Sequence, residues 1–287
     1  MVTRLALYNR IAERTASLVI REYSTSFGMA SRILSAGSRR HIDNVYALVR
    51  LADEIVDGVA VESGLTTAQA GAHLNALEAE TYAAMETGYS TNLIVHAFAL
   101  TARAVNIQRD IVEPFFHSMR MDLTDRVYTK DSFDTYVYGS AEVVGLMCLA
   151  VFIRDDKPDH ETARTLYNGA RSLGAAFQKV NFLRDLAADV DDLGRSYFPG
   201  VTIATFSEDD KHRLCDDIAD DLDAAARTIP LLPRDAARAV GLAHGLFARL
   251  NSRIRATPAD TLKSTRIRVN DLEKLLIAAR VILRGGK

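Results

Sequence analysis

The segment YALVRLADEIVDG, residues 46–58, places polar side chains along one side of an otherwise apolar helix. These side chains follow one another at spacings of three and four residues and therefore share one helix face. They belong to Tyr46, Arg50, Asp53 and Asp57. The intervening positions are mostly apolar, which is typical of a helix in a protein core. The pattern predicts a buried helix whose two carboxylates face inward.

The segment QKVNFLRDLAAD, residues 178–189, repeats this arrangement. Its polar face consists of Gln178, Asn181, Asp185 and Asp189, again with two carboxylates one turn apart. We call the two polar faces the first and second acidic stripes. Their similarity predicts two pseudo-symmetric helices that face one another across a central cavity.

Buried carboxylates without a partner are too costly to retain. Two inward-facing pairs therefore require cations as partners. An all-oxygen site suits Mg²⁺, with Mn²⁺ as the alternative ion, and such an ion would hold a phosphate-bearing substrate. The predicted ligands are Asp53, Asp57, Asp185 and Asp189. The alternative interpretation is a network of buried salt bridges, in which Arg50 neutralises Asp53 and Arg184 pairs with a nearby acid.

Aspartates four residues apart also occur in CDDIADDLD, residues 215–223. There the acids occupy several helix faces, a pattern typical of a solvated surface rather than of a binding site. The acidic stripes differ because apolar residues fill their other faces. Spacing alone therefore does not indicate a site, but spacing on an apolar helix does.

The composition limits the classes of protein to be considered. The chain has 287 residues, of which 48% are hydrophobic, and a formal net charge of −2. This apolar content suffices for a continuous core and predicts one domain over residues 1–287. A balanced charge gives no general attraction to nucleic acid, which is not an expected partner. Two distant cysteines without metal-ligand spacing favour a reducing, cytoplasmic location.

Apolar positions recur at three- and four-residue spacing through most of the chain. The predicted helical segments are 4–34, 41–57, 66–87, 91–107, 111–127, 132–152, 160–190, 207–227, 233–254 and 271–284. All six prolines fall where helical periodicity lapses and are predicted to punctuate the helices, and alternating strand patterns are scarce. The sequence therefore predicts an all-α bundle.

Five segments resemble, in order, those of the head-to-head prenyl synthases, the family of squalene, dehydrosqualene and phytoene synthases. They are YSTSFGMASRIL at 23–34, YALVRLADEIVDG at 46–58, YGSAEVVGLM at 138–147, QKVNFLRDLAAD at 178–189 followed by GRSYFP, and RIRV at 266–269. The DEIVDG form of the first motif is most similar to bacterial phytoene synthases. The resemblance implies a single-domain isoprenoid synthase fold, an all-α bundle around a central cavity.

The resemblance also implies a reaction. Two geranylgeranyl diphosphates would condense head to head, through a cyclopropylcarbinyl diphosphate, to phytoene in carotenoid biosynthesis, with release of two diphosphates and without NADPH. Two alternatives stay open: a squalene or dehydrosqualene synthase that uses farnesyl diphosphate, and an inactive helical scaffold that binds prenyl lipids. Because the product would be an oil-soluble hydrocarbon, we expect weak peripheral contact with the inner face of the cell membrane near the tunnel mouth.

By position, the resemblance assigns roles to individual residues. The Mg²⁺ ligands would be Asp53, Asp57, Asn181, Asp185 and Asp189. The residues that contact or orient the diphosphate would be Tyr46, Arg50, Gln178, Tyr197 and Arg266. Those that close or line the pocket near the reacting carbons would be Ser24, Ser26, Phe27, Ala141, Val144 and Gly145.

Three positions depart from the family pattern. Ala188 stands where relatives often carry Glu, which changes the support for Asp189. Phe247 stands where many relatives carry Tyr and so lacks a hydroxyl. Glu142 replaces a small residue, and because a carboxylate inside a tunnel is costly, we predict that it points away from the chain-binding cavity.

Overall fold

The computed structural model describes residues 3–125, 127–186, 197–270, 273–274, 276–278 and 281, and within them the regular structure is helical, with no β-strand. The helices are α1 (Arg4–Tyr23), α2 (Thr25–Ser31), α3 (Ala36–Val56), α4 (Val59–Glu62), α5 (Thr67–Thr87), α6 (Leu93–Val105), α7 (Arg109–Thr124), α8 (Lys130–Val137), α9 (Val143–Phe152), α10 (His160–Arg184), α11 (Glu208–Ala226), α12 (Arg234–Ala256) and α13 (Ala259–Leu262). A π-turn, Tyr138–Glu142, joins α8 to α9, and a 3-10 turn, Ile229–Leu231, precedes α12. The all-α prediction is confirmed.

The predicted segment 4–34 is two helices rather than one, because the backbone of Ser24 is extended, with φ −138° and ψ 112°. The Ser24 side chain accepts a hydrogen bond from the Phe27 N–H and so caps α2. Its own N–H donates to the Ile20 carbonyl at the end of α1. The chain therefore turns at Ser24, where Tyr23 and Ser24 border the cavity described below.

The predicted segment 160–190 ends earlier than expected. Helix α10 stops at Arg184, and Asp185 occupies its C-cap, with its N–H donating to the Asn181 carbonyl over 2.9 Å. Asp189 and the Ala188 departure lie outside the described residues. Within the described chain, the second acidic stripe thus consists of Gln178, Asn181 and Asp185.

The prediction that every proline marks a lapse in helical periodicity is wrong for Pro114, which lies inside α7. Its carbonyl faces the π-turn so closely that a Cβ added to Gly139 would lie 2.1 Å from that oxygen. No side chain fits at this distance, so glycine at position 139 allows the π-turn to pack against the backbone of α7. This contact fixes the start of α9, which lines the cavity.

The two larger groups of buried apolar residues in the described chain flank the cavity. The first lies around α3, α6 and α7 and includes Phe98, Phe115 and Phe116, all fully buried. The second lies among α8, α10, α11 and α12 and includes Phe182, Leu183 and Ile218. Burying one such side chain stabilises the fold by about 1.5–3 kcal/mol. Helices α3 and α9 face the cavity from the first group, and α10 and α12 face it from the second.

One stretch of helix in the described chain, Lys130–Phe152, is long and apolar enough to cross a membrane by length and composition. Core helices of globular proteins pass the same test. In this protein Val143, Met147 and Val151 of that stretch are buried in the first apolar group. Its hydrophobicity is therefore accounted for by packing inside the bundle.

Candidate active site

A cavity of about 980 Å³ runs between the two acidic stripes. It is bordered by every predicted site residue that lies within the described chain: Ser24, Ser26, Phe27, Tyr46, Arg50, Asp53, Asp57, Ala141, Val144, Gly145, Gln178, Asn181, Asp185, Tyr197 and Arg266. The acids lie toward one end, because Asp53 and Asp57 end α3 and Asp185 ends α10. We call this end the acid end.

Asp53 of the first stripe has a strongly perturbed pKa. Removal from water raises its pKa well above the ordinary value, and the neighbouring charges of Asp57 and Asp122 raise it further. Arg50 opposes this rise without cancelling it. A carboxylate in such surroundings is stabilised by any cation that enters the acid end.

The prediction that both acids of the first stripe are buried is wrong for Asp57, which is exposed. Helix α3 ends at Val56, so Asp57 is a C-cap residue rather than part of a helical face. The chain then turns through Gly58 at φ 119°, a left-handed conformation that favours glycine. Asp57 therefore lies at the rim of the cavity, one turn outside Asp53.

Arg50 does not form the salt bridge with Asp53 that the alternative interpretation requires. Its guanidinium pairs instead with Glu54, one turn along α3. The same group lies over the ring of Tyr23, with its central carbon 4.5 Å from the ring centroid. Arg50 is thus fixed at the cavity wall, and Asp53 keeps a raised pKa.

Asp185 does form the kind of ion pair that the alternative interpretation predicts. The Arg184 side chain donates to both of its carboxylate oxygens, and Arg266 Nε also lies 2.7 Å from Oδ1. Arg266 is half exposed, so this pair contributes little to stability, typically ~0–1 kcal/mol. The second stripe therefore combines a carboxylate with two arginines, whereas the first stripe has carboxylates in excess.

Asn181 presents an unusual amide oxygen. This Oδ1 atom is buried and has no hydrogen-bond partner. Buried polar atoms are normally satisfied, so an orphaned oxygen on the cavity wall is suited to a ligand or a metal ion. In the described residues, however, no three carboxylate, histidine or cysteine side chains lie close enough together to form a ready metal cluster.

Sequence reasoning missed a buried pair at the acid end. The Tyr136 hydroxyl donates to Asp122 over 2.9 Å, and the Tyr197 hydroxyl lies 3.5 Å from the other Asp122 oxygen. All three residues are buried and border the cavity. Burial and the Asp122 charge together raise the pKa of Tyr136 well above its ordinary value, which keeps the phenol protonated. Tyr197, predicted to contact diphosphate, thus has its hydroxyl directed to Asp122.

A signal for Asp122 exists in the sequence. It follows Phe115 and Met119 at spacings of four and three residues, which places an acid on an apolar helix face.

Four neighbouring rings border the cavity, and we call them the aromatic collar. Phe27 lies with its ring centroid 6.4 Å from Tyr46, 5.8 Å from Phe177 and 5.8 Å from Phe247. Phe177 and Phe247 stack at 3.8 Å. The Phe247 departure therefore places an apolar ring in the collar where a tyrosine would add a hydroxyl.

Glu142 points away from the cavity, in agreement with the prediction. Its carboxylate accepts a hydrogen bond of 2.6 Å from Arg171 on α10. Glu142 does not border the cavity, whereas Ala141 and Val144 on either side of it do. Burial raises the pKa of Glu142, although Arg171 opposes the shift. The pair ties the π-turn to α10.

Comparison with known proteins agrees with this geometry. The chain matches the squalene/phytoene synthase family over residues 20–273. It is 32% identical to the 15-cis-phytoene synthase of Paracoccus sp. over 193 residues, which cover 65% of this chain and 59% of that protein. It is 33% identical over 203 residues to phytoene synthase 1 of Solanum lycopersicum, covering 69% of this chain and 45% of that protein. These matches thus span less than two thirds of the relatives' own lengths.

A longer match is more distant. The phytoene synthase of Mycobacterium tuberculosis is 27% identical over 292 residues, which cover 94% of this chain and 90% of that protein. Among solved structures, a dehydrosqualene synthase in complex with ligand superposes with a TM-score of 0.80 at 20% identity, over 96% of this chain and 97% of that one. A squalene synthase from Alicyclobacillus acidocaldarius gives 0.73 at 23% identity, over 87% and 95%. The fold is that of these synthases, and the chain belongs to the squalene/phytoene synthase family.

Proposed function

We propose that this protein condenses two molecules of geranylgeranyl diphosphate head to head to phytoene, in carotenoid biosynthesis. The first substrate loses diphosphate, and its allylic carbon bonds to the double bond of the second substrate, with loss of a proton, to give a cyclopropylcarbinyl diphosphate. This intermediate then loses the second diphosphate, rearranges and releases a proton. No electron donor is needed, so NADPH is not consumed.

The observation that carries the proposal is the polarity of the cavity. Carboxylates, an orphaned amide oxygen and arginines lie at one end, and mainly rings and aliphatic side chains line the rest. A diphosphate suits the first environment, and an isoprenoid chain suits the second. A carbocation formed between them would face the aromatic collar, whose ring faces attract positive charge, in a space that excludes water.

The relatives support the choice of reaction. Proteins named phytoene synthase match this chain at 27–33% identity. The superposed structures, a dehydrosqualene and a squalene synthase, are below 25% identity and support the fold only. Phytoene synthesis is therefore the leading proposal, and condensation of farnesyl diphosphate is the outcome that would replace it.

The donor set at the acid end fits Mg²⁺, or Mn²⁺ in its place. Asp53, Asp57, Asn181 and Asp185 offer the oxygen ligands that these ions prefer, and Asp189 would complete the second stripe. A cation would stabilise the ionised form of Asp53, whose pKa is raised, and would give the orphaned oxygen of Asn181 a partner. When bound, the ion would neutralise the charge that develops on the departing diphosphate.

The protein's own residues would bind and orient the substrate around that ion. Arg50 and Arg266 can each donate two hydrogen bonds to diphosphate oxygens, because the guanidinium group is a planar fork. Arg266 needs only to leave Asp185, to which it is bound at an exposed site. Tyr136 stays protonated beside Asp122 and donates a hydrogen bond to it. It therefore satisfies this buried carboxylate near the acid end without adding a second negative charge.

One incubation tests the proposal. Purified protein is supplied with geranylgeranyl or farnesyl diphosphate, with Mg²⁺ or with a chelator, and with or without NADPH; extracted hydrocarbons are identified by mass. We expect a C40 hydrocarbon of phytoene mass, dependent on Mg²⁺ and indifferent to NADPH. A C30 product from farnesyl diphosphate alone would replace phytoene by squalene or dehydrosqualene. Tight binding of both diphosphates without their release would favour a lipid-binding scaffold instead.

The expected peripheral membrane contact is proposed for the outward face of α1. Leu7, Ile11 and Leu18 share that face and are 46%, 40% and 48% exposed. Arg10, Arg14 and Arg21 follow one edge of this apolar line, although the whole chain carries a net charge of −2. An apolar line flanked by arginines suits a surface of anionic lipid. Helix α1 ends at Tyr23 beside the cavity, which suits transfer of lipid-soluble molecules.

Sedimentation with vesicles tests this surface. We expect more protein to bind vesicles that contain phosphatidylglycerol than vesicles of phosphatidylcholine alone. The double variant Leu7→Gln/Leu18→Gln should lose most of this binding, whereas Leu231→Gln, which changes an equally exposed leucine beside α12, should retain it. Equal binding by both variants would exclude α1 as the contact, and dimerisation lost in the double variant would assign the face to a second copy instead.

A further inference from the structure

The length of the cavity can be read along α10. Leu166, Ala170, Leu173 and Phe177 recur at spacings of four and three residues, share one face and border the cavity. At a rise of 1.5 Å per residue, the stretch from Asp185 back to Leu166 spans about 28 Å. By the same measure Phe177 lies about 12 Å, and Ala170 about 22 Å, from Asp185.

Contacts between the segment 141–145 and α10 show how α9 runs along the cavity. A Cβ added to Gly174 would lie 2.5 Å from the Ala141 carbonyl oxygen, and one added to Gly145 would lie 2.5 Å from that of Ala170. As the residue numbers fall along α10 they rise along α9, so the two helices run antiparallel in contact. Phe152, at the end of α9, is therefore level with the Leu166 end of the cavity.

The aromatic collar lies at one depth on both walls. Tyr46 precedes Asp53 by seven residues of α3, or about 11 Å, which matches the depth of about 12 Å found for Phe177 on α10. Phe27 touches both rings. The collar therefore divides the cavity into the acid end and a deeper part.

We call the deeper part the deep chamber. It is bordered by Gly145, Cys148, Leu166, Ala170, Leu173, Ala239 and Ala243, among which small residues are frequent. At its far end Phe152 and Leu232 border the cavity and pack with Leu34, Ala236 and Ala239. The chamber thus begins at the collar and ends at an apolar wall about 28 Å from the acids.

Isoprenoid chain lengths can be placed on this axis. An extended chain advances about 3.3–3.6 Å for every three bonds, so the main chain of a C15 group measures about 13 Å and that of a C20 group about 18 Å. The ion and the diphosphate move the first carbon inward from the carboxylates. A C15 chain therefore ends shortly beyond the collar, whereas the last isoprene unit of a C20 chain reaches the level of Ala170.

We propose that Ala170 determines chain length by leaving space for the fourth isoprene unit in the deep chamber. This inference rests on the proposed condensation and specifies its substrate. On the central line of the α10 face, Ala170 is the small residue, placed between Leu166 and Leu173. A larger side chain at position 170 would project into the chamber beyond the end of a C15 chain. It would therefore exclude the C20 substrate selectively.

The test compares Ala170→Phe with Thr165→Phe, which adds a ring to an exposed position of the same helix. The measurements are kcat/KM for geranylgeranyl and farnesyl diphosphate, and calorimetric affinities for their unreactive thiodiphosphates. We expect Ala170→Phe to lower both quantities for the C20 compound by about 100-fold or more relative to the C15 compound, as for a site that must exclude several methylene groups. Thr165→Phe should leave the C20 to C15 ratio unchanged.

Several outcomes would overturn the assignment. An unchanged ratio in Ala170→Phe, or an equal loss for both chain lengths in a variant with wild-type circular dichroism, would exclude position 170. If that variant fails to fold, Ala170→Val provides the smaller obstruction, and an unchanged ratio there has the same meaning. If the wild-type protein condenses neither substrate, the proposed function fails, while the thiodiphosphate affinities still decide whether position 170 selects chain length.

Discussion

At the acid end of the cavity the protein leaves polar groups incompletely satisfied, whereas in the deep chamber it packs apolar side chains against one another. Asp53 has a raised pKa and Asn181 an orphaned oxygen, while Leu166, Ala239 and Ala243 of the deep chamber are buried apolar residues. The difference indicates that the acid end is arranged for a charged group and its ion, whereas the chamber offers apolar walls that both stabilise the fold and suit an apolar chain. Functional sites commonly sacrifice stability in this way.

The largest expected effect is on turnover at the acid end. Asp53→Asn should lower kcat by on the order of 10³-fold, because it removes a carboxylate proposed to hold the ion that neutralises the departing diphosphate. Asp220→Asn, which changes an exposed acid in the control segment CDDIADDLD, should leave kcat unchanged. Turnover is measured as released diphosphate. Comparable activity in the two variants would show that Asp53 of the first acidic stripe matters no more for turnover than an acid on the protein surface.

The deep chamber should respond in stability instead. Leu166→Ala removes a buried side chain and should lower the free energy of unfolding by about 2–3 kcal/mol, as for other buried leucines. Urea denaturation measures the change, and the rise in melting temperature on adding Mg²⁺ and diphosphate serves as the control. That rise should match wild type. If Leu166→Ala lost the rise in melting temperature but kept the wild-type free energy of unfolding, Leu166 would contribute to ligand binding rather than to stability.

Arg266 provides an intermediate effect at the rim. Arg266→Gln should raise KM about tenfold with little change in kcat, because a hydrogen bond from a charged group to the bound diphosphate is lost. Arg266→Lys should recover part of this, since it retains the charge but not the planar fork. Steady-state kinetics separates the two parameters. A fall in kcat alone would place Arg266 at the chemical step rather than in binding.

The smallest effect concerns stability at the acid end, and its sign is opposite to that of Leu166→Ala. The raised pKa of Asp53 means that its favourable contribution is complete at acid pH and is lost as pH rises through the folded-state pKa. Without metal, Asp53→Asn should therefore be more stable than wild type by roughly 1 kcal/mol at pH 8, with a smaller difference at pH 4. Urea denaturation in a chelator measures both. Lower stability of the variant at pH 8 would contradict the raised pKa.

Some of this structure follows from local sequence rules. Tyr46, Arg50 and Asp53 share a face because helical periodicity alone places them there, and the cavity wall formed by α10 follows in the same way. Glu142 was correctly directed outward because a buried carboxylate in an apolar tunnel is costly. These inferences need no knowledge of how helices meet.

Other features depend on contacts between distant segments. The Asp122–Tyr136 pair joins α7 to α8, and neither residue signals its partner in the sequence. Asp185 ends α10 rather than continuing it, and Pro114 is accommodated within α7, both against the expected boundaries. The depth of Ala170 required the antiparallel alignment of α9 with α10, which only tertiary packing provides.

The glycine contacts between α9 and α10 have a consequence for altering this protein. Where Gly145 meets the Ala170 carbonyl and Gly174 meets that of Ala141, the separation of the helices is set by main-chain atoms. Side-chain replacement can shorten or extend the space between them, but it cannot draw the helices closer or move them apart without displacing the backbone. Substitutions should therefore change the length of substrate that the cavity accepts, but hardly the width.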